Sequence, residues 1–90
     1  MSAPAYVYLL RCADGTLYCG WTVDVERRCA AHARGTASRY TRRRLPVELV
    51  WSAPAASRSE AMKREYAIKQ LPREAKLALI RSTAANPQPA

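Results

Sequence analysis

YVYLLRCADGTLYCGWT, residues Tyr6 to Thr22, is the stretch on which the fold turns. Tyr6 to Cys12 is apolar and aromatic, the composition of a buried strand. Thr16 to Thr22 is a second such run, and the Asp14-Gly15 pair before it is a strong hairpin signal. Register then decides where the tyrosines point. A two-residue loop at Asp14-Gly15 pairs Arg11 with Tyr18 and sends Tyr8 and Tyr18 to opposite faces. A three-residue loop, with Gly15 left-handed in a bulge, pairs Tyr8 with Gly20 and Leu10 with Tyr18. Both phenols then share a face, and this second register is the expected one.

Downstream, Asp24 is a good N-cap for a helix to about Ala33, with Gly35 as its stop. At 100° per residue Val25, Arg28, Cys29 and His32 fall in one stripe, while Arg27 points nearly opposite and is read as solvated. Gly35 to Arg44 reads as a polar, arginine-dense loop. Val47 to Trp51 is a third strand introduced by Pro46, followed by a connection around Pro54. Ser57-x-x-Glu60 is a capping box opening a helix to about Gln70. Leu71-Pro72 breaks it, and Pro72 suits the first turn of a last helix ending near Ser82. The expected fold is α/β of the α+β type: a three-stranded, mostly antiparallel sheet flanked by helices, in the order ββαβαα. Residues 1–82 are expected to form one domain, and 83–90 a disordered tail. No repeat or second domain is expected.

The chain has 90 residues, 49% of them apolar, and a net charge of +8. Twelve of its fifteen cations are arginine. Arginine offers phosphate a planar fork of donors, so this bias favours a nucleic-acid partner over plain solubility. Cys12, Cys19, Cys29 and His32 match no common zinc spacing, and no secretory leader is expected, so neither a metal finger nor a disulfide scaffold is expected. No apolar run approaches the roughly 20 residues that span a bilayer. The expectation is a cytoplasmic protein without membrane contact.

Tyr6-Val7-Tyr8 and Tyr18-Cys19-Gly20, on two hairpin strands, resemble the paired motifs that name the GIY-YIG nucleases. Arg28, ten residues after Tyr18, stands where that family has its helix arginine, and His32 follows one turn later. Ala61 to Tyr66 resembles the segment that carries the family's glutamate, here Glu65. The likeness spans about Tyr6 to Leu79. It is closest to small stand-alone bacterial members and to the nuclease domain of the eukaryotic subunit that resolves branched DNA. Two departures, Tyr6 for Gly and Cys19 for Ile, fall at backbone or packing positions. A third, Trp21, stands where some members have a catalytic lysine, which leaves Arg28 or the Arg39–Arg44 loop to neutralise phosphate.

The resemblance implies a metal-dependent DNA endonuclease, of weak sequence preference, acting in DNA repair or processing. Glu65 would hold Mg²⁺ or Mn²⁺; one carboxylate suffices because magnesium keeps several waters and takes substrate oxygens as ligands. Arg28 would stabilise the phosphate transition state, Tyr18 would be the general base, and Tyr8 would assist it by hydrogen bonding. His32 would orient these groups or be the base itself, since its ordinary pKa of about 6.5 suits that task better than a phenol near 10. Each residue also has a plainer reading: strand tyrosines as packing, His32 as a structural histidine, Glu65 in an ion pair. Arg39, Arg42, Arg43 and Arg44, with Tyr40 among them, are expected to track phosphates, Tyr40 stacking on an unpaired base. The competing functions are a catalytically inactive nucleic-acid-binding module on the same fold and, less well supported, a redox or metal sensor using the cysteines.

Overall fold

At Ala13 to Gly15 the chain reverses by the longer of the two loops: Cys12 N donates to Thr16 O and Gly15 N to Cys12 O, each at 2.9 Å. Gly15 takes φ +86°, a left-handed conformation that glycine adopts without a Cβ clash. This computed structural model describes residues 5–84. The turn joins β1 (Ala5–Arg11) to β2 (Leu17–Thr22), with Tyr8 opposite Gly20 and Leu10 opposite Tyr18. The three-residue register holds.

Asp24 caps α1 (Val25–Ala33), its side chain accepting from Arg27 N. Gly35, at φ +79°, ends the helix, with Gly35 N on His32 O and Thr36 N on Ala31 O, the paired bonds of a Schellman stop. The segment read as an open loop contains a four-residue helix, α2 (Arg39–Arg42), because the Ser38 hydroxyl accepts from Tyr40 N and Thr41 N. Next comes β3 (Glu48–Ala55), then α3 (Arg58–Lys69), capped by Ser57, and α4 (Arg73–Ala84).

β1 is central in a fully antiparallel sheet of order β2-β1-β3. Expected over Val47 to Trp51, β3 instead starts at Glu48 and continues through Pro54, which lies opposite Tyr6. It is an edge strand, where a proline's missing N–H can face outward without breaking the ladder. A bulge at Val50, between the Leu9–Trp51 and Leu10–Leu49 pairs, bends it. α4 runs two residues past Ser82, to Ala84, and so takes in the first residues assigned to the tail. The rest of that tail, 85–90, lies outside the described residues.

Alternation along β1 divides the interior. Val7 and Leu9 join Cys19, Trp51 and Ala55 on one face, packed against Ala61 and Ile68 of α3, with Leu79 and Ile80 of α4 closing over them. Leu9 is fully buried there, and truncating such a leucine to alanine costs roughly 2–5 kcal/mol. Tyr8 and Leu10 are buried on the other face, the side of α1. Among the described residues no helix is long and apolar enough to cross a membrane.

Candidate active site

Tyr8, Tyr18, Arg28 and Glu65, from four different elements, line one cleft of about 370 Å³. It lies along β2, the sheet edge, so that α1 above one face and α3 below the other both reach it. Trp21 and Gly20 line it from the strand itself. Gly20 has a specific job. A Cβ there would sit 2.5 Å from the Tyr8 hydroxyl oxygen, so only glycine lets the phenol lie across the strand.

His32, fully buried, is not in the cleft wall but behind it. Its Nε2 is 2.9 Å from Tyr8 Oη and its Nδ1 2.8 Å from Thr41 Oγ1. Thr41 Oγ1 donates to Ser38 O at 3.4 Å and so accepts from Nδ1–H, which leaves the Nε2 lone pair for the Tyr8 hydroxyl. Burial first, and the Arg28 charge second, hold the imidazole pKa below its usual 6.5. Burial, then the neighbouring Tyr18, pushes the Tyr8 phenol well above its usual 10. At neutral pH Tyr8 is therefore a protonated donor and His32 a neutral acceptor. Burial excludes His32 from touching substrate or water directly. Its hydrogen bond to the cleft wall is the one to Tyr8.

The half-buried Tyr18 ring meets the His32 ring edge-on at 5.3 Å and Tyr40 at 5.7 Å. Its hydroxyl makes no hydrogen bond with the described residues, so it is available to a bound molecule. Glu65 is the cleft's one carboxylate. Its Oε2 stands 3.6 Å from Lys69 Nζ, an i,i+4 pair with a half-exposed lysine, worth only about 0.3–0.5 kcal/mol. Its Oε1 has no donor among the described residues. The plainer reading of Glu65 as an ion-pair partner is thus partly met, by lysine and weakly.

No group of three His, Cys, Asp or Glu side chains able to hold a metal occurs among the described residues. A single carboxylate with one uncommitted oxygen, in a cleft open to water, suits a hard divalent cation that keeps most of its waters. It does not suit zinc, which takes three or four protein ligands.

Arg58, which sequence reading passed over, also lines the cleft. Seven residues before Glu65, it lies on the same face of α3, and that spacing was the available signal. Neither Arg28 nor Arg58 has a hydrogen bond or ion pair with another described side chain. Where a lysine would stand, Trp21 fills the wall, and Arg58 brings the second positive charge from the opposite helix. Thr41, behind His32, was likewise passed over; nothing in a run of arginines marks it.

The arginines of the α2 segment divide. Arg44 is held by Asp14 (Nε to Oδ2, 3.0 Å) and by Tyr40 O, and its guanidinium lies 3.8 Å over the Tyr40 ring. With Arg44 over one face and Tyr18 nearby, Tyr40 buttresses the site, and the expected stacking on an unpaired base would have to displace Arg44. Arg42 lays its stem against Gly35. Arg39, Arg42 and Arg43 are exposed, and none of the five lines the cleft.

Comparison with known proteins identifies the family. The family profile of the GIY-YIG catalytic domain matches residues 4–78. A UPF0213 protein of Streptococcus agalactiae is 49% identical over 81 residues, covering 90% of this chain and 92% of its own. One from Natronomonas pharaonis is 52% identical over 80 residues, covering 89% and 94%. The solution NMR structure of a UPF0213 protein from Bacillus halodurans superposes with a TM-score of 0.57 at 44% identity, over 92% of this chain and 87% of that one. That of an Enterococcus faecalis protein gives 0.60 at 36% identity, over 100% and 94%. A chain whose paired tyrosines, helix arginine and glutamate converge on one cleft, and whose profile match spans most of it, belongs to the GIY-YIG catalytic domain family.

Proposed function

We propose that the protein is a metal-dependent endonuclease that hydrolyses DNA phosphodiester bonds with little sequence preference, in DNA repair or processing in the cytoplasm. The observation that carries this reading is the convergence of Tyr8, Tyr18, Arg28 and Glu65 on one cleft of about 370 Å³. A site serving only to bind has no need of a buried, hydrogen-bonded phenol–imidazole pair beside a carboxylate with one oxygen left free. The three cysteines are free thiols, which fits a reducing compartment.

Glu65 would hold Mg²⁺ or Mn²⁺ through Oε1, and the bound ion would supply charge relief at the phosphoryl and leaving oxygens. Arg28 and Arg58, on opposite walls, donate charged hydrogen bonds to the two non-bridging oxygens as negative charge builds there. Tyr18, with its hydroxyl unengaged, orients the attacking water in line with the leaving oxygen. The proton route favoured by the hydrogen bonds runs through Tyr8. As the water oxygen bonds to phosphorus, its proton passes to Tyr8 Oη while the Tyr8 proton passes to His32 Nε2. A free tyrosinate, disfavoured by burial, never forms. The imidazolium left behind keeps its Nδ1–H on Thr41. Tyr18 as the base, the role implied by family likeness, would need an acceptor for its own proton, and no described residue hydrogen-bonds to its hydroxyl.

The test is incubation of nicked, branched and single-stranded DNA with Mg²⁺, with Mn²⁺ and with EDTA, followed by mapping of the cut ends. Metal-dependent cuts without a dominant sequence motif are expected. Binding without cleavage in any arm would give the inactive-module reading instead, and one dominant motif would contradict the weak preference.

A further inference from the structure

A second groove, about 430 Å³, opens beside the cleft and shares Thr22, Val23 and Arg28 with it. Its far wall is the outer stripe of α1, where Arg27 and Arg34 stand two helical turns apart with the small Ala31 between them. Two turns is about 10 Å, far enough to engage separate phosphates. Neither guanidinium has an ion-pair partner among the described residues. The groove's one acid, Asp24, is engaged as the helix cap by the Arg27 backbone N–H. The groove thus carries three guanidinium charges against the single carboxylate of Asp24, a net positive wall.

The α2 segment is differently placed. Arg39 and Arg42 line a separate depression that shares no residue with the cleft, and Arg44 is tied to Asp14. We infer that the DNA strand leaves the cleft along α1, with Arg27 and Arg34 holding phosphates that flank the cut, and does not cross the Arg39–Arg44 segment. This rests on the nuclease reading above. Sequence periodicity set Arg27 aside as solvated because it points away from Arg28. In three dimensions that outward face becomes the groove's wall. The small Ala31 leaves room for a sugar–phosphate chain to lie against the helix, and the contacts would be to backbone charge, with no reading of bases.

The experiment compares wild type with the double variants R27Q/R34Q and R42Q/R43Q, all verified as folded by circular dichroism. Binding of a labelled branched DNA is measured across salt concentrations in EDTA, and steady-state cleavage with Mg²⁺ or Mn²⁺. R27Q/R34Q is expected to flatten the slope of log K against log salt by about two phosphate contacts' worth, roughly 1.4–1.8. It should raise KM at least about fivefold while kcat stays within about twofold, because flanking phosphates take no part in the chemical step. R42Q/R43Q should change each quantity less. An unchanged slope in R27Q/R34Q, an equal or larger loss in R42Q/R43Q, or a fall confined to kcat would overturn the strand path. Wild-type protein that neither binds nor cuts would instead remove the nuclease reading on which it stands.

Discussion

Tyr8 Oη lies 2.9 Å from His32 Nε2, joining the central strand to the first helix by a buried hydrogen bond at the back of the cleft. If this bond carries the proton of the attacking water, Tyr8→Phe keeps the ring and removes the route. The expected loss in kcat is about 100- to 10,000-fold, the usual worth of general-base catalysis. Tyr18→Phe, removing an orienting group, should cost less. The comparison is made by single-turnover cleavage, and a larger loss for Tyr18→Phe would return the base role to Tyr18.

The same bond sets a pH dependence of rate. His32 accepts a proton only when neutral, and its pKa in the fold lies below 6.5. Cleavage should therefore be flat near neutrality and fall only as pH drops through that lowered value. A rate–pH profile whose acid limb persists unchanged in His32→Gln would detach it from this histidine.

Stability should fall over the same range. The unfolded chain protonates His32 near 6.5, whereas the fold, by burial and the Arg28 charge, holds it neutral to lower pH. Below 6.5 the unfolded state binds more protons, so unfolding free energy decreases as pH falls towards the lowered folded pKa. Thermal melts from pH 7.5 to 5 should show Tm dropping, with the drop reduced in His32→Gln.

Gly20→Ala tests why the second motif ends in glycine. The added methyl would meet Tyr8 Oη at 2.5 Å and Cζ at 2.6 Å. Displacing the phenol should cost about 1–3 kcal/mol of stability, as overpacking does. Activity should fall nearly as far as in Tyr8→Phe although the phenol is still present. Wild-type cleavage by this variant would mean that the Tyr8 position is immaterial.

Much of this site was legible in the sequence. Gly15 marks the longer turn, and the turn alone places Tyr8 and Tyr18 on one face. Helical periodicity separates Arg28 from Arg27 correctly as far as the cleft is concerned. What periodicity cannot show is what lies beyond one element's own surface. Asp14 reaches Arg44 across 30 residues of chain and so binds the guanidinium that caps Tyr40. Thr41 owes its place behind His32 to a turn nucleated by Ser38, amid residues that read as a solvated loop. Pro54 halted the expected third strand, but only the sheet order reveals that β3 lies at an edge where proline is tolerated.

Arg58 occupies the first turn of α3, where the helix dipole disfavours a cation. Arg58→Ala should therefore leave stability unchanged or raise it by up to about 1 kcal/mol. Losing one donor to the transition state should lower kcat on the order of 100-fold. Paired melts and kinetics check this; a fall in activity matched by a fall in Tm would make Arg58 structural.

The most direct measurement is single-turnover cleavage of branched DNA by wild type and Glu65→Gln, both at saturating Mg²⁺ and with matched Tm. Glutamine keeps the size and hydrogen-bonding capacity of the side chain but removes the charge that holds the ion. The expected result is ready cleavage by wild type and a loss of at least about 100-fold in the variant, with DNA binding in EDTA unchanged. Equal cleavage by the two proteins would contradict a metal-assisted cut at this cleft.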